Sequence, residues 1–259
     1  MTKQPKRNDR HILVCNDDGI FAPGIRALAE VAAEFGKVSI IAPDTQQSAV
    51  GHAITVHYPL RVTDFEINDK LSGQAVSGTP ADCVKLAHDQ LLKQKPDIVL
   101  SGINHGSNAG INLLYSGTVS AATEGTILGY PSIAVSCTEF SESADLSGCQ
   151  EAARRVLRYI IENGLPSGIT LNVNAPAGPL KSLSWTRQAR SRYVDEFEGR
   201  VDPSNRPYFW TTGTLEVLEE GDDLDLNVLK KGRGSVTPIQ YDLTANDFFR
   251  KINGKIDLE

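Results

Sequence analysis

Asp17 and Asp18, two adjacent carboxylates in Asn16-Asp17-Asp18-Gly19, follow directly on the apolar run Ile12-Leu13-Val14-Cys15. Side by side their charges repel, and each titrates upward unless a cation neutralises the pair. The chemistry this points to is a hard divalent cation, Mg²⁺ or Mn²⁺, held by oxygen ligands. The same four residues would also close a strand-to-helix loop as an Asx-type turn, and on this segment alone both readings stand. Three later segments carry related groups. Asp44 to His52 contains Ser48, Ser101 to Asn108 contains Asn104 and His105, and Tyr115-Ser116-Gly117-Thr118 opens an Ala- and Gly-rich stretch. An Asp pair, a Ser hydroxyl and an Asn carbonyl make an all-oxygen cation site with positions open for water and substrate. Ser116-Gly117-Thr118 at a helix start offers backbone N–H groups, two hydroxyls and the positive end of the dipole, which suit a phosphate. Plain N-capping by Ser116 is the alternative there. His52 and His105 sit in these loops, where they are placed for proton transfer or substrate binding; His11, His57 and His88 read as surface or structural. No G-x-x-x-x-G-K-[ST] occurs and no G-x-G-x-x-G opens a helix, so the NTPase and dinucleotide fingerprints are missing.

The elements that must position these groups alternate. Ile12–Cys15 is short, β-compatible and bounded by turn residues, so it reads as a buried strand. Pro23 starts an amphipathic helix (Ile25, Leu28, Ala29, Ala32, Phe35) that ends by Gly36. Lys37–Ala42 is a second strand, and alternation around Ala53 to Val62 predicts an inserted hairpin. Thr79 and Pro80 start a helix through Leu91. Ile98–Leu100 is a strand running into the Ser101 to Asn108 loop. A small-residue helix near Val119 to Leu128, a strand at Ser132–Ser136, a helix over Cys149 to Asn163 and a strand at Ile169–Val173 follow. Such alternation means βαβ units and a parallel sheet, which brings all the loops named above to one edge. After about residue 176 the pattern breaks into short runs holding both tryptophans, an Arg187 to Arg192 stretch, an acidic Glu219 to Asp225 patch, a strand at Ser235 to Gln240 and a short terminal helix. The arginines read as a solvated face, or as contacts to a polyanion or to a neighbouring subunit's carboxylates.

A net charge of −6 over 259 residues argues against duplex nucleic acid as the main partner. Single nucleotides remain open, since one metal and a few amides can hold one phosphate. No stretch approaches the ~20 apolar residues needed to span a bilayer, and the basic first ten residues lack the apolar core of a signal peptide. Cys15, Cys83, Cys137 and Cys149 have no metal-type spacing and read as reduced thiols of a cytoplasmic protein.

Several segments, in order, resemble the SurE (stationary-phase survival protein) nucleotidases. They are Ile12 to Ile20 with Pro23-Gly24-Ile25, Ala42-Pro43-Asp44 through Ser48, Ser77 to Val84, Asp97 to Asn108, Tyr115 to Gly125, and Gly234 to Ile239 with Asp242-Leu243-Thr244. The resemblance implies an α/β fold: a Rossmann-like three-layer core with a mainly parallel sheet over residues 1–180. A C-terminal β-rich extension over 181–259 would be exchanged between subunits of a homodimer or homotetramer. It implies a 5′-nucleotidase, a divalent-metal phosphohydrolase of nucleoside 5′- and 3′-monophosphates, in some relatives also of short polyphosphate. The family's ligands for one Mg²⁺ or Mn²⁺ fall on Asp17, Asp18, Ser48 and Asn104, and its phosphate contacts on Asn108, Ser116, Gly117 and Thr118. The expected reaction is phosphomonoester hydrolysis with Asp17 and Asp18 at its centre, either of which is placed to take the water's proton. Two rivals use the same loops: a nucleotide sensor without turnover, and a phosphatase with a covalent aspartyl intermediate. The second normally shows Asp-x-Asp, whereas here the acids are adjacent.

Overall fold

Residues 10–68 and 71–252 are described by the computed structural model; the basic lead-in over residues 1–9 lies outside them. The chain runs β1 (His11–Cys15), α1 (Pro23–Ala33), β2 (Lys37–Pro43), β3 (Val62–Asn68), β4 (Leu71–Val76), α2 (Pro80–Leu86), β5 (Ile98–His105) and α3 (Gly117–Ile127). It continues with β6 (Ser132–Cys137), α4 (Ser147–Asn163), β7 (Ile169–Ala175), β8 (Leu183–Trp185), β9 (Ser191–Val194), β10 (Phe197–Val201), β11 (Pro207–Thr211), β12 (Thr214–Val217), α5 (Asp225–Lys230), β13 (Gly234–Gln240) and α6 (Asn246–Ile252). Nine strands form one sheet in the order β3-β4-β2-β1-β5-β6-β7-β13-β8. From β4 to β7 the pairing is parallel; β3 and β13 run antiparallel to β4 and β7.

Strand alternation divides the core. Ile12 and Val14 of β1 face the side covered by α1 and α4, while Leu13 and Cys15 face the side of α2 and α3. Both faces are covered, so the central strands read as continuous apolar runs. Pro23 supplies the preset φ at the start of α1, and Ile25, Leu28, Ala29 and Ala32 bury one stripe of it. At α2, Thr79 accepts from the Asp82 N–H at 3.1 Å and Asp82 accepts from the Thr79 N–H at 2.9 Å, a full capping box.

Two expectations need correction, and a third gains detail. The hairpin read over Ala53 to Val62 is displaced: β3 and β4 form it, and residues 53–60 are irregular. Their alternation does not mark a buried face, because Ile54, Val56 and Tyr58 are exposed, and the segment is tied instead to the start of α2 by Thr55 and Ala53. The Ser101 to Asn108 loop starts later, because β5 continues to His105. Gly102 permits this: at φ +127° a side chain there would also strike the Val135 carbonyl oxygen of the neighbouring strand. The arginines at 187, 190 and 192 are exposed, as a solvated face requires, and two of them have carboxylate partners within the chain. Arg187 pairs with Glu219 at 2.8 Å and Asp223 at 2.9 Å, and Arg192 with Glu216 at 2.9 Å. Folding brings together charges more than twenty residues apart, so the acidic patch and the arginine stretch are one surface.

All four cysteines are free and buried. Among the described residues no helix is long and apolar enough to cross a membrane.

Candidate active site

From β1 the chain passes to β2 on one side, and β5 lies on the other, so the strand order reverses between β1 and β5. Open α/β sheets bind ligands in the crevice at such a point. Here it opens into a cavity of about 920 Å³ whose lining includes Asp17, Asp18, Ser48, Asn104, Asn108 and Ser116. Six of the eight residues expected from sequence therefore share one wall. Gly117 and Thr118 stand behind it, against Asp17.

Asp17 is 4% exposed. Thr118 holds it through its hydroxyl, which donates to Oδ1, and through its main-chain N–H. The close approach of α3 requires Gly117, where an added Cβ would lie 2.7 Å from the Cβ of Asp17. Asp18 accepts from the His105 main-chain N–H at 3.1 Å and from Gln46 Nε2 at 3.3 Å. Gln46 Nε2 also donates to Ser48 Oγ at 2.9 Å, tying the second loop to the acid pair. Asn104 donates its Nδ2 to the Gly106 carbonyl at 2.6 Å, so its oxygen is the end left for a ligand.

Burial pushes the Asp17 carboxyl up to about 6 against the Thr118 hydrogen bonds, and the neighbouring Asp18 charge adds to the rise. Burial raises Asp18 too, offset in part by the His105 N–H. The donor set is thus two carboxylates short of positive charge plus the Ser48 hydroxyl and the Asn104 amide oxygen, whose own nitrogen is engaged by Gly106. That suits a hard cation better than a soft one. Among the described residues no group of three or more His, Cys, Asp and Glu is arranged to hold a metal.

Both readings of Ser116 are compatible: its Oγ accepts from the Val119 N–H at 3.0 Å, and an accepting cap keeps the hydroxyl hydrogen for a ligand. Asn108 is 7% exposed and gives one of its side-chain hydrogens to Ser136 Oγ at 2.9 Å. His52 is absent from the cavity wall. Its Nε2 lies 2.9 Å from Glu124, which also takes Lys85 at 3.1 Å. The two ring nitrogens of His105 are buried without a partner among the described residues. His11 is structural, with Gln94 and Ser39 on its ring nitrogens.

The family model described as "Survival protein SurE" matches residues 12–195, well over half of the chain. The chain belongs to the SurE family. Among SurE relatives, a protein of Cytophaga hutchinsonii named 5'-nucleotidase SurE is 47% identical, over 93% of this chain and 95% of its own. Its namesake in Moorella thermoacetica is also 47% identical, over 93% and 94%. The crystal structure of the SurE protein from Aquifex aeolicus superposes with a TM-score of 0.80 at 36% identity, covering 94% of this chain and 98% of that one. The α/β core and the C-terminal β strands agree with a SurE fold.

Sequence reasoning missed Gln46, Glu124 and the pair Asn172 and Asn174. Gln46 and Glu124 carry no motif of their own. The asparagines did leave a signal: two amides two positions apart in an apolar strand share one face, and buried amides call for partners. Tyr193, Glu196 and Thr212, from the extension, also line the cavity.

Proposed function

We propose that this chain is a divalent-metal-dependent phosphomonoesterase that dephosphorylates nucleoside 5′-monophosphates, and with them 3′-monophosphates and short polyphosphate. The observation that carries this is the Asp17–Asp18 pair at the β1/β5 switch point, Asp17 buried and Asp18 partly so, sharing one cavity with Ser48, Asn104 and the N-cap of α3, Ser116. The names of the relatives support the same reaction. Asp17, Asp18, Ser48 and Asn104 would hold one Mg²⁺ or Mn²⁺ per subunit. Such a cation, when bound, polarises a phosphoryl oxygen and lowers the pKa of a water.

The chain's own groups do the rest. Thr118 and the His105 N–H orient the two carboxylates, and the pair receives the proton of the attacking water. Asn108, with Ser116 at the positive end of α3, holds the phosphoryl oxygens over which charge spreads in the transition state. Gly117 lets α3 come close, and Thr118, expected there as a phosphate contact, instead gives its hydroxyl and N–H to Asp17. The cavity extends well past a phosphate, toward Tyr115, Phe140 and Tyr193, leaving room for a nucleoside. Phosphate release from a panel of nucleotides with Mg²⁺, Mn²⁺ or EDTA tests this: metal-dependent release from monophosphates is expected, and none across the panel refutes it.

The assembly belongs to the same reading. On the β10–β11 hairpin Phe197 and Phe209 share one face and Trp210 lies on the other; they are 67%, 68% and 58% exposed, an apolar exposure of the kind that marks a contact. It supports a homodimer or homotetramer closed through residues 181–259, about a core of residues 1–180. Four unpaired buried thiols support a cytoplasmic location. Light scattering after size exclusion is expected to give a dimer or tetramer; an active monomer at micromolar concentration refutes the assembly.

A further inference from the structure

Asn108 is gripped by its main chain as well as its side chain. Its N–H donates to Asn174 Oδ1 at 2.8 Å, and its C=O accepts from Asn172 Nδ2 at 2.7 Å. Its Nδ2 donates to Ser136 Oγ at 2.9 Å. Asn172, Asn174 and Ser136 are all 0% exposed. Asn172 and Asn174 lie on the face of β7 opposite Leu171 and Val173, and Ser136 is the register partner of Asn174 on β6. Two strands thus present three polar groups to one loop residue.

Pairing the buried main chain of Asn108 accounts for part of this choice and not for all of it. A primary amide taken out of water costs free energy wherever a hydrogen bond is left unmade. Here Asn172 Oδ1 and Asn174 Nδ2 have no partner among the described residues, nor has Ser235 Oγ, on the residue paired with Asn174 across β13. Apolar side chains on this face would remove those unpaired atoms but strand the buried N–H and C=O of Asn108. What the amides supply is direction. Asn174 offers an acceptor to an N–H and Asn172 a donor to a C=O, so the peptide groups of residue 108 are read with a single polarity. Ser136 then fixes the rotation of the Asn108 amide, leaving its second Nδ2 hydrogen for a ligand.

We infer that Asn172 and Asn174 are positioning residues for the phosphate end of the site, acting through Asn108. This rests on the reading of Asn108 as a phosphate contact under the proposed function. The experiment uses the full chain with saturating Mn²⁺ and measures inhibition of p-nitrophenyl phosphate hydrolysis by inorganic phosphate, alongside Mn²⁺ affinity and the thermal midpoint. Asn108→Ala is expected to weaken phosphate inhibition about tenfold, the equivalent of one hydrogen bond to a charged group. Asn174→Ala is expected to give most of that loss with Mn²⁺ affinity unchanged, and the double variant to be no worse than Asn108→Ala. Asn172→Ala, which frees only the carbonyl, carries the test if Asn174→Ala does not fold.

A loss for Asn108→Ala with none for either strand variant overturns the positioning role alone. Full additivity in the double variant overturns it as well, since the strand residues would then act by another route. No loss for Asn108→Ala overturns the phosphate reading of that residue and the inference with it.

Discussion

Replacing Asp17 by Asn removes one of two like charges and keeps the shape. The wild-type carboxyl is 4% exposed and burial holds it near 6 in place of its ordinary 3.8. The folded state therefore binds a proton more tightly than the unfolded state, and wild-type stability falls as pH rises from about 4 to about 6. At about 1.4 kcal/mol per tenfold change in proton affinity, the ionised Asp17 costs the metal-free fold about 3 kcal/mol at neutral pH. Asn cannot ionise, and its Oδ1 can still accept the Thr118 hydroxyl. In EDTA at pH 7.5 Asp17→Asn is thus expected to be the more stable protein by up to about 3 kcal/mol, roughly 2–4 °C of melting midpoint per kcal/mol at this chain length. At pH 4 the gain shrinks toward zero. With millimolar Mn²⁺ the order inverts, because wild type gains from binding and the variant loses a charged ligand. Phosphatase activity is nearly abolished in the variant throughout. Thermal melts at both pH values, with and without Mn²⁺, read the whole pattern. A variant melting below wild type in EDTA at pH 7.5, or an equal gain at pH 4, refutes the charge argument.

Asn104→Ala and Ser48→Ala each remove a neutral ligand, so activity at low Mn²⁺ should fall and recover in part as Mn²⁺ is raised; loss of activity with unchanged Mn²⁺ affinity by calorimetry moves Asn104 to the substrate. Gly117→Ala places a methyl group 2.7 Å from the Cβ of Asp17, and overpacking of this kind costs about 1–3 kcal/mol; a melt and an activity assay should both show the damage, and a neutral result contradicts the close approach of α3. For Glu124, burial works to raise the carboxyl, but His52 and Lys85 outweigh it and hold the group below its ordinary range. The stability it lends is present above the unfolded carboxyl pKa and is lost as pH falls through the lower folded value. Glu124→Gln should therefore cost about 1–3 kcal/mol at pH 7, with the difference closing in acid; a constant difference down to pH 3 contradicts the pairing.

What could be read ahead of the structure was what neighbouring residues announce together. Asp17 and Asp18 declare their mutual repulsion in two letters, Ser116 and Thr79 sit where helix caps belong, and the apolar runs of β1, β2, β5 and β6 are long enough to be strands. Six site residues met in the cavity because strand ends in a parallel sheet share an edge. What escaped depends on distance along the chain. Glu124 meets His52 across 72 residues and Arg187 meets Glu219 across 32, and no local pattern encodes either pairing. The misplaced hairpin has another cause. Ile54, Val56 and Tyr58 alternate as a strand does but stay exposed, so their periodicity reports no packed face. Thr118 shows a third limit, since its type suits a phosphate or an aspartate equally and only the approach of α3 to β1 commits it to Asp17.

β13 joins the sheet between β7 and the three-residue strand β8, and its β7 partners lie more than sixty positions earlier. Every expected site residue lies before residue 119, yet the flank of β7 that carries Asn172 and Asn174 stays open until residue 240 has been made. On the ribosome, where chains emerge at about 5–20 residues per second, the part of the polypeptide holding the acid pair waits several seconds with an unpaired strand edge. Such an edge is a template for aggregation. The last strand of the sheet is therefore a completion check: a polypeptide cut short in the extension keeps the reactive groups but not the cover over β7, and a cell would meet it as a substrate for chaperones and proteases rather than as a smaller enzyme.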